Sequence, residues 1–492
     1  MAKTAFFLAV DLGATSGRTV LSSYQGEKLE MREWTRFKNP MIPIGGHLYW
    51  DLPALYHEIL LALRKTADEG IELTSIGIDT WGVDFAFFTA DGKLAGLPYC
   101  YRDGQTEGVL EDFFQRISAE KVYEKTGIQF MEFNSLFQLD VLHRSGCCAL
   151  SGADKILFIP DALSYMLTGE AVAEYTIVST SQLMDPRKGE FDEELLETIG
   201  VRREQFGRMV HPGTRVGMLT EQVQHFAGVG PVPVIAVAGH DTASAVISVP
   251  AQDENFAYLS CGTWSLLGIE SPQPIINADS FRHNFTNEGG LDGTTRFLKN
   301  ICGLWLFERC REEFVDAPEN VAELAALCET STYGGLINPD ASCFAHPVSM
   351  TKAIVDYCHQ TGQAIPESPA DFCRCIFRSL ALRYCQVLSM LQAMSPITIK
   401  RLHVIGGGSL NRYLMQYAAN ALGMPVVCGP SEGTALGNVL VQLRAAGCVC
   451  TAQDMRRVSV ASIETVIYQP CDAELWEKLY TEFLCIQSKE IH

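Results

Sequence analysis

Apolar and polar residues along this chain alternate between strand-sized runs and helical spacings, and small polar turns separate them at recurring places. The run Phe6-Phe7-Leu8-Ala9-Val10 is short, aromatic and branched, which predicts a buried strand. It ends in Asp11-Leu-Gly-Ala-Thr-Ser-Gly-Arg18, where Gly13 and Gly17 predict a tight backbone bend. Leu52 to Glu69 has helical apolar spacing, and Ser75 to Asp79 and Val83 to Phe88 predict two strands around the loop Thr80-Trp81-Gly82. Further helical patterns lie between Asp103 and Leu150, one of them opened by Phe133-Asn-Ser-Leu-Phe-Gln138.

A second start follows near the midpoint. Val232 to Ala238 predicts a buried strand running into Gly239-His240-Asp241-Thr242-Ala243, where small residues after an acid mark a helix start. Phe256 to Ser260 then leads through Cys261-Gly-Thr-Trp-Ser265 into Leu266 to Ile269, so strand, small polar turn and strand occur at residue 6 and again at residue 256. An offset of half the chain predicts a duplicated lobe. Leu402 to Ile405, Gly406-Gly-Gly408 and Asn411 to Leu422 then read as strand, turn and amphipathic helix, followed by Pro425 to Val427 and a helix from Thr434 to Ala446.

Length and composition narrow the class. At 492 residues the chain exceeds one comfortable core, and 47% hydrophobic with 20% charged residues is the make-up of a globular enzyme. No run reaches the ~18 residues needed to span a bilayer, and no signal-type N-terminus is present, so a cytoplasmic protein with no membrane partner is expected. A formal charge of −20 disfavours nucleic acid and anionic membranes alike. No obligate protein partner is readable. Seventeen cysteines without a C-x-x-C predict reduced thiols rather than a zinc site. Cys358 and Cys375 flank a Gly- and Pro-containing connection, and a helix pair there could join them as a disulfide.

The candidate chemistry sits at the turns. Asp11 can hold a hydrated Mg²⁺, while Thr15, Ser16 and Arg18 supply donors for phosphate oxygens, a set suited to ATP. The same turn also reads as an ordinary hairpin with a solvated Asp. The glycine triplet permits close approach of a planar or anionic ligand, or is a tight turn and no more. Asp241 is either a general base or a helix cap, Gly82 a turn glycine, and Asn300 a helix cap.

Taken together, Asp11 to Arg18, Ser260-Cys-Gly-Thr263 and Gly406 to Gly408 make the chain resemble the FGGY carbohydrate kinases of the actin/hexokinase-like ATPase group. Gly77-Ile-Asp-Thr-Trp-Gly-Val-Asp-Phe85, Gly239 to Val246, Gly262-Thr-Trp-Ser265, Asn287-Glu-Gly-Gly290 and Lys299-Asn-Ile-Cys-Gly-Leu-Trp305 carry the resemblance across both halves. It implies an α/β fold of two actin/ribonuclease H-like lobes, each a mixed sheet flanked by helices, with an interlobe catalytic cleft. The expected division is 1–245 for the sugar and first phosphate loop and 246–492 for the nucleotide. The implied reaction moves the ATP γ-phosphoryl group to the 1-hydroxyl of a small ketose, L-rhamnulose being expected before L-fuculose, L-ribulose or D-xylulose. By the same resemblance Asp241 takes the proton, and Gly82, His240, Thr242 and Asn300 bind sugar. Ala14, Thr15, Ser16, Gly17 and Arg18 meet the phosphates, Thr263 closes on them, Gly407 and Glu308 lie by the nucleotide, and Asp11 serves Mg²⁺. Glu308 departs from the amide expected there, since a carboxylate accepts hydrogen bonds and cannot donate.

Overall fold

The computed structural model describes residues 4–315, 317–345 and 347–490, which form two compact units. One comprises residues 1–250, 270–297 and 433–462; the other comprises 251–269, 298–432 and 463–492. The expected division at 245/246 is a single cut in the sequence, whereas the first unit also takes residues 270–297 and 433–462 from the second half.

The first unit is built on a six-stranded mixed sheet. Its middle strand β1 (Ala5–Leu12) is buried on both faces from Phe7 onward, as the unbroken apolar run requires of a central strand. β2 (Ser16–Tyr24) returns antiparallel to β1, and β3 (Leu29–Lys38) pairs with β2. On the other side the strand Leu73–Thr80 runs parallel to β1, followed by the parallel strand Pro233–Ile235 and the antiparallel strand Arg215–Met218. Helix α1 (Leu52–Asp68) begins where the Asp51 carboxylate accepts from the Ala54 amide, with Pro53 in its first turn. Its stripe of Leu52, Leu55, Ile59, Leu60 and Leu63 is buried in the sheet's core.

The second unit repeats the plan. Phe256–Cys261 pairs antiparallel with Trp264–Ser271, then parallel with Arg401–Ile405, which pairs parallel with Val426–Cys428 and so reaches the antiparallel strand Val466–Tyr468. A hairpin, two parallel strands and an antiparallel edge therefore occur in the same order in both sheets, as the duplicated pattern predicted. Among the described residues no helix is long and apolar enough to cross a membrane.

Several local expectations are corrected. The strand expected from Val83 starts at Phe85, because Val83 holds φ of 69° and cannot continue an extended backbone. Asn300 lies within the strand Thr295–Cys302 and not at a helix cap. Cys358 and Cys375 are free, buried thiols. A hydrogen bond to Cys358 and burial together push the Cys375 thiol well up.

Candidate active site

In the first unit, the carboxyl ends of the parallel strands carry Asp11, Asp79 and, through the Gly239-His240 segment, Asp241. Asp11 stands one residue before the end of β1, and its cross-strand partner is Arg18. The Arg18 guanidinium donates from Nε at 2.9 Å and Nη2 at 2.7 Å to Asp11 Oδ2. The turn between them is a hairpin, closed by Gly13 N donating to Ser16 O at 2.9 Å and held from outside by Asn39, which donates to Gly13 O at 3.0 Å. The segment is a hairpin, and its Asp is paired rather than solvated. Thr15 is exposed at its tip, with Ala14 and Ser16 half-buried beside it. Gly17 is not a bend residue: it is extended in β2, and a Cβ there would lie 2.3 Å from the Phe37 ring. The glycine is needed because that ring covers it.

Beside Asp11, in parallel register, stands Asp79 near the end of Leu73–Thr80. It is fully buried; Asn438 Nδ2 donates to its Oδ2 at 2.5 Å, while Oδ1 has no hydrogen-bond partner. Burial first, then the charges of Asp11 and Asp241, push its carboxyl well above the ordinary range. Sequence reading placed Asp79 at a strand end and gave it no role, although it is the penultimate residue of its strand as Asp11 is of β1.

The loop after Thr80 is fastened at several points. Thr80 N donates to Gly239 O at 2.8 Å, and Val83 N donates to Thr180 Oγ1 at 3.1 Å. A Cβ on Gly82 would sit 3.1 Å from Thr180 Oγ1, so this position has little room for any side chain. Asp84 anchors the loop from below. Its Oδ2 accepts from Trp50 Nε1 at 2.6 Å, Trp81 Nε1 at 2.9 Å and Tyr101 N at 3.1 Å, and its Oδ1 accepts from Gln138 Nε2 at 2.9 Å. Complete burial still pushes its carboxyl up to about 6.

The helix Asp241–Ile247 follows the Gly239-His240 segment, and His240 occupies its N-cap position. Asp241 is the first helical residue and does not cap; its Oδ1 accepts from Thr242 Oγ1 at 3.1 Å and lies 3.4 Å from His240 Nε2. The preceding backbone is gripped by the buried Glu174, which accepts from Gly239 N at 2.9 Å, while His240 N donates to Thr176 Oγ1 at 3.3 Å. Sequence reasoning passed over Glu174, which accepts from Thr176 and Ile177 nearby and, 65 positions along the chain, from Gly239.

The second unit holds the remaining candidates. Thr263 lies in the turn between Phe256–Cys261 and Trp264–Ser271, and its carbonyl accepts from Gly303 N and Trp305 N, both at 3.2 Å. Trp305 opens the helix Trp305–Glu313, on which Glu308 accepts from Arg311 at 2.6 and 2.9 Å. Gly406, at φ of 86°, and Gly408 are glycines because a Cβ on either would strike Cys261, at 2.9 and 2.3 Å. A Cβ on Gly407 would meet nothing within 4 Å. The triplet is therefore both a tight turn and an open backbone. Asn300 is half-buried next to Lys299, whose ammonium is lowered to about 8 by burial and then Arg383.

Among the described residues no group of three or more His, Cys, Asp or Glu side chains converges on a point that could hold a metal. Asp11, with the unpartnered Asp79 Oδ1 behind it, suits instead a Mg²⁺ that keeps its water and phosphate ligands.

Comparison with known proteins bears on both units. Residues 6–248 match the family model of the FGGY carbohydrate kinases, N-terminal domain, and residues 257–446 match the C-terminal domain model. The chain is 54% identical over 479 residues to a rhamnulokinase of Bacteroides thetaiotaomicron, covering 97% of this chain and 98% of that one. It is 44% identical to a rhamnulokinase of Mannheimia succiniciproducens, covering 92% of each. Among solved structures, a gluconate kinase from Lactobacillus acidophilus superposes with a TM-score of 0.84 at 16% identity over 99% of this chain and 98% of that one. Plasmodium falciparum glycerol kinase with ADP does so at 0.81 and 15% identity, covering 99% of each. These two likenesses establish the two-lobed fold.

Proposed function

The chain belongs to the FGGY family of carbohydrate kinases, and from that premise we propose that it phosphorylates L-rhamnulose at the 1-hydroxyl, giving L-rhamnulose 1-phosphate and ADP in L-rhamnose catabolism. The observation that carries the mechanism is the state of Asp241: its Oδ1 is held by Thr242 and faces His240, which leaves Oδ2 to take a proton. A sugar hydroxyl is a poor nucleophile at neutral pH. As its oxygen attacks the γ-phosphorus, the O–H bond breaks and the proton passes to Asp241, while the bond to ADP opens on the opposite side. Gly82, His240, Thr242 and Asn300 orient the ketose. Ala14 to Arg18 and Thr263 face the phosphates, and Gly407 lies against the adenosine. Glu308, engaged by Arg311, can meet the nucleotide only as an acceptor. Asp11 would hold a Mg²⁺ that came with ATP, and the ion would supply charge compensation on the phosphate oxygens. In the lobe assignment that goes with this reading, 1–245 serves the sugar and first phosphate loop and 246–492 the nucleotide. The work is cytoplasmic, where ATP is available.

The test is a coupled ATPase assay over L-rhamnulose, L-fuculose, L-ribulose and D-xylulose, with the product identified by NMR. L-Rhamnulose should give the highest kcat/KM and phosphate on O1. A preference for another ketose would replace the substrate, and no sugar-dependent turnover would leave a binding protein on a kinase scaffold.

A further inference from the structure

Behind His240, on the side away from Asp241, lies a buried ion pair with no part in the proposed reaction. Glu288 and Arg296 come from a segment far along the chain that packs into the first unit. Arg296 is 1% exposed, and its Nη2 donates to Glu288 Oε2 at 2.9 Å. His240 Nδ1 lies 3.2 Å from that same Oε2 and 3.2 Å from Arg296 Nη2. Arg296 Nε donates to Gly289 O at 2.9 Å, Gly289 N donates to Ser179 Oγ at 2.7 Å, and Nη1 has no hydrogen-bond partner.

A guanidinium buried with one unpartnered nitrogen is a poor stabilising element, and an apolar pair of the same volume would do as well for the core. Its geometry serves another end. Nδ1 is engaged by the pair, the backbone N of His240 is engaged by Thr176, and Nε2 is thereby aimed at Asp241 Oδ1. Burial pushes the Glu288 carboxyl up, but Arg296 and the hydrogen bond to His240 outweigh it and hold it below its ordinary value.

Resting on the assignment of Asp241 as base, we propose that Glu288 and Arg296 are positioning residues: they fix the His240 imidazole so that its Nε2 faces one oxygen of Asp241 and the other is left in line for the sugar hydroxyl. Neither touches substrate; both act through His240. A ring free to rotate about its side-chain bonds would lose the near-attack geometry on which most of the rate depends.

A double-mutant cycle tests this. Glu288→Gln and His240→Ala should each lower kcat/KM for the ketose by roughly tenfold or more. The KM for ATP should be unchanged in both. The double variant should be no worse than His240→Ala alone, within about a factor of two. Losses that multiply, or a Glu288→Gln enzyme with native kinetics, would overturn the proposal. Should Glu288→Gln fail to fold, Glu288→Asp takes its place in the cycle, since it keeps a charge for Arg296 while withdrawing from Nδ1. Asp241→Asn is assayed alongside: native turnover there removes the base assignment, whereas additivity of the cycle removes only the positioning role.

Discussion

At the scale of the residue, charge and burial decide what each acid does. Asp241 is partly open and held on one oxygen, which leaves the other accessible for the role proposed for it. Asp241→Ala should lower kcat by about 10²–10⁴ with little change in melting temperature, measured by steady-state kinetics and calorimetry. Asp84 is the opposite case, closed off and fully hydrogen-bonded. Its carboxyl, raised from 3.8 to about 6 in the folded state, is most stabilising while protonated. That contribution is complete below about pH 3.8 and is lost as pH rises through about 6. That rise corresponds to about 3 kcal/mol. Asp79, Asp161 and Glu174, all raised by burial, act with the same sign. Melting temperature should therefore fall as pH rises from about 4 to about 6, and Asp84→Asn should flatten that fall even though it lowers stability overall. An equal slope in the variant would exclude Asp84 as the source. Asp11 and Asp241 were legible in the sequence because each ends a run with a recognisable turn. Asp79, Glu174 and Glu288 were not, because what makes them matter is a neighbour brought in by strand register or by a distant segment.

At the scale of the element, the helix Gly433–Ala445 packs directly on the helix that carries the proposed base. A Cβ on Gly437 would lie 1.7 Å from Ser244 O, so this helix touches the backbone of the Asp241–Ile247 helix directly. Asn438 reaches Asp79, and Gln442 accepts from Ser75 Oγ at 2.7 Å while donating to Leu8 O at 3.1 Å, a buried polar ladder from helix to sheet. Gly437→Ala must force the two helices apart, at a cost on the order of 3 kcal/mol. It should reduce kcat more than the KM for ATP, because Asp241 moves with its helix. Denaturant melts read together with kinetics would show this; a variant with native values would mean the contact is softer than drawn. The sequence predicted this helix to within a residue of its observed bounds. It could not predict its destination, since periodicity reports which face is apolar and not which sheet will cover it. The same limit applies to Gly17, whose need for glycine comes from the Phe37 ring on the neighbouring strand and not from the turn nearby.

At the scale of the whole molecule, the duplicated strand order was readable from the recurrence of strand, polar turn and strand, but the recruitment of two second-half segments into the first unit was not. Residues 270–297 and 433–462 complete the first unit, the former carrying Glu288 and Arg296 and the latter the helix that holds Asp79. A fragment of residues 1–250 should therefore melt without cooperativity and bind a hydrophobic dye, while the full chain melts sharply. A sharp transition in the fragment would show that the inserted segments are dispensable. The same arrangement sets a timetable during synthesis. Some 180 residues separate position 250 from position 433. At about 5–20 residues per second, the nascent first unit waits on the order of 10–40 s for its last helix. Through that interval the face of β1 and its parallel neighbour that the helix will cover stays open on the ribosome. The chaperone demand of this protein should thus fall on the half made first, and slowing translation between these positions should lower its soluble yield.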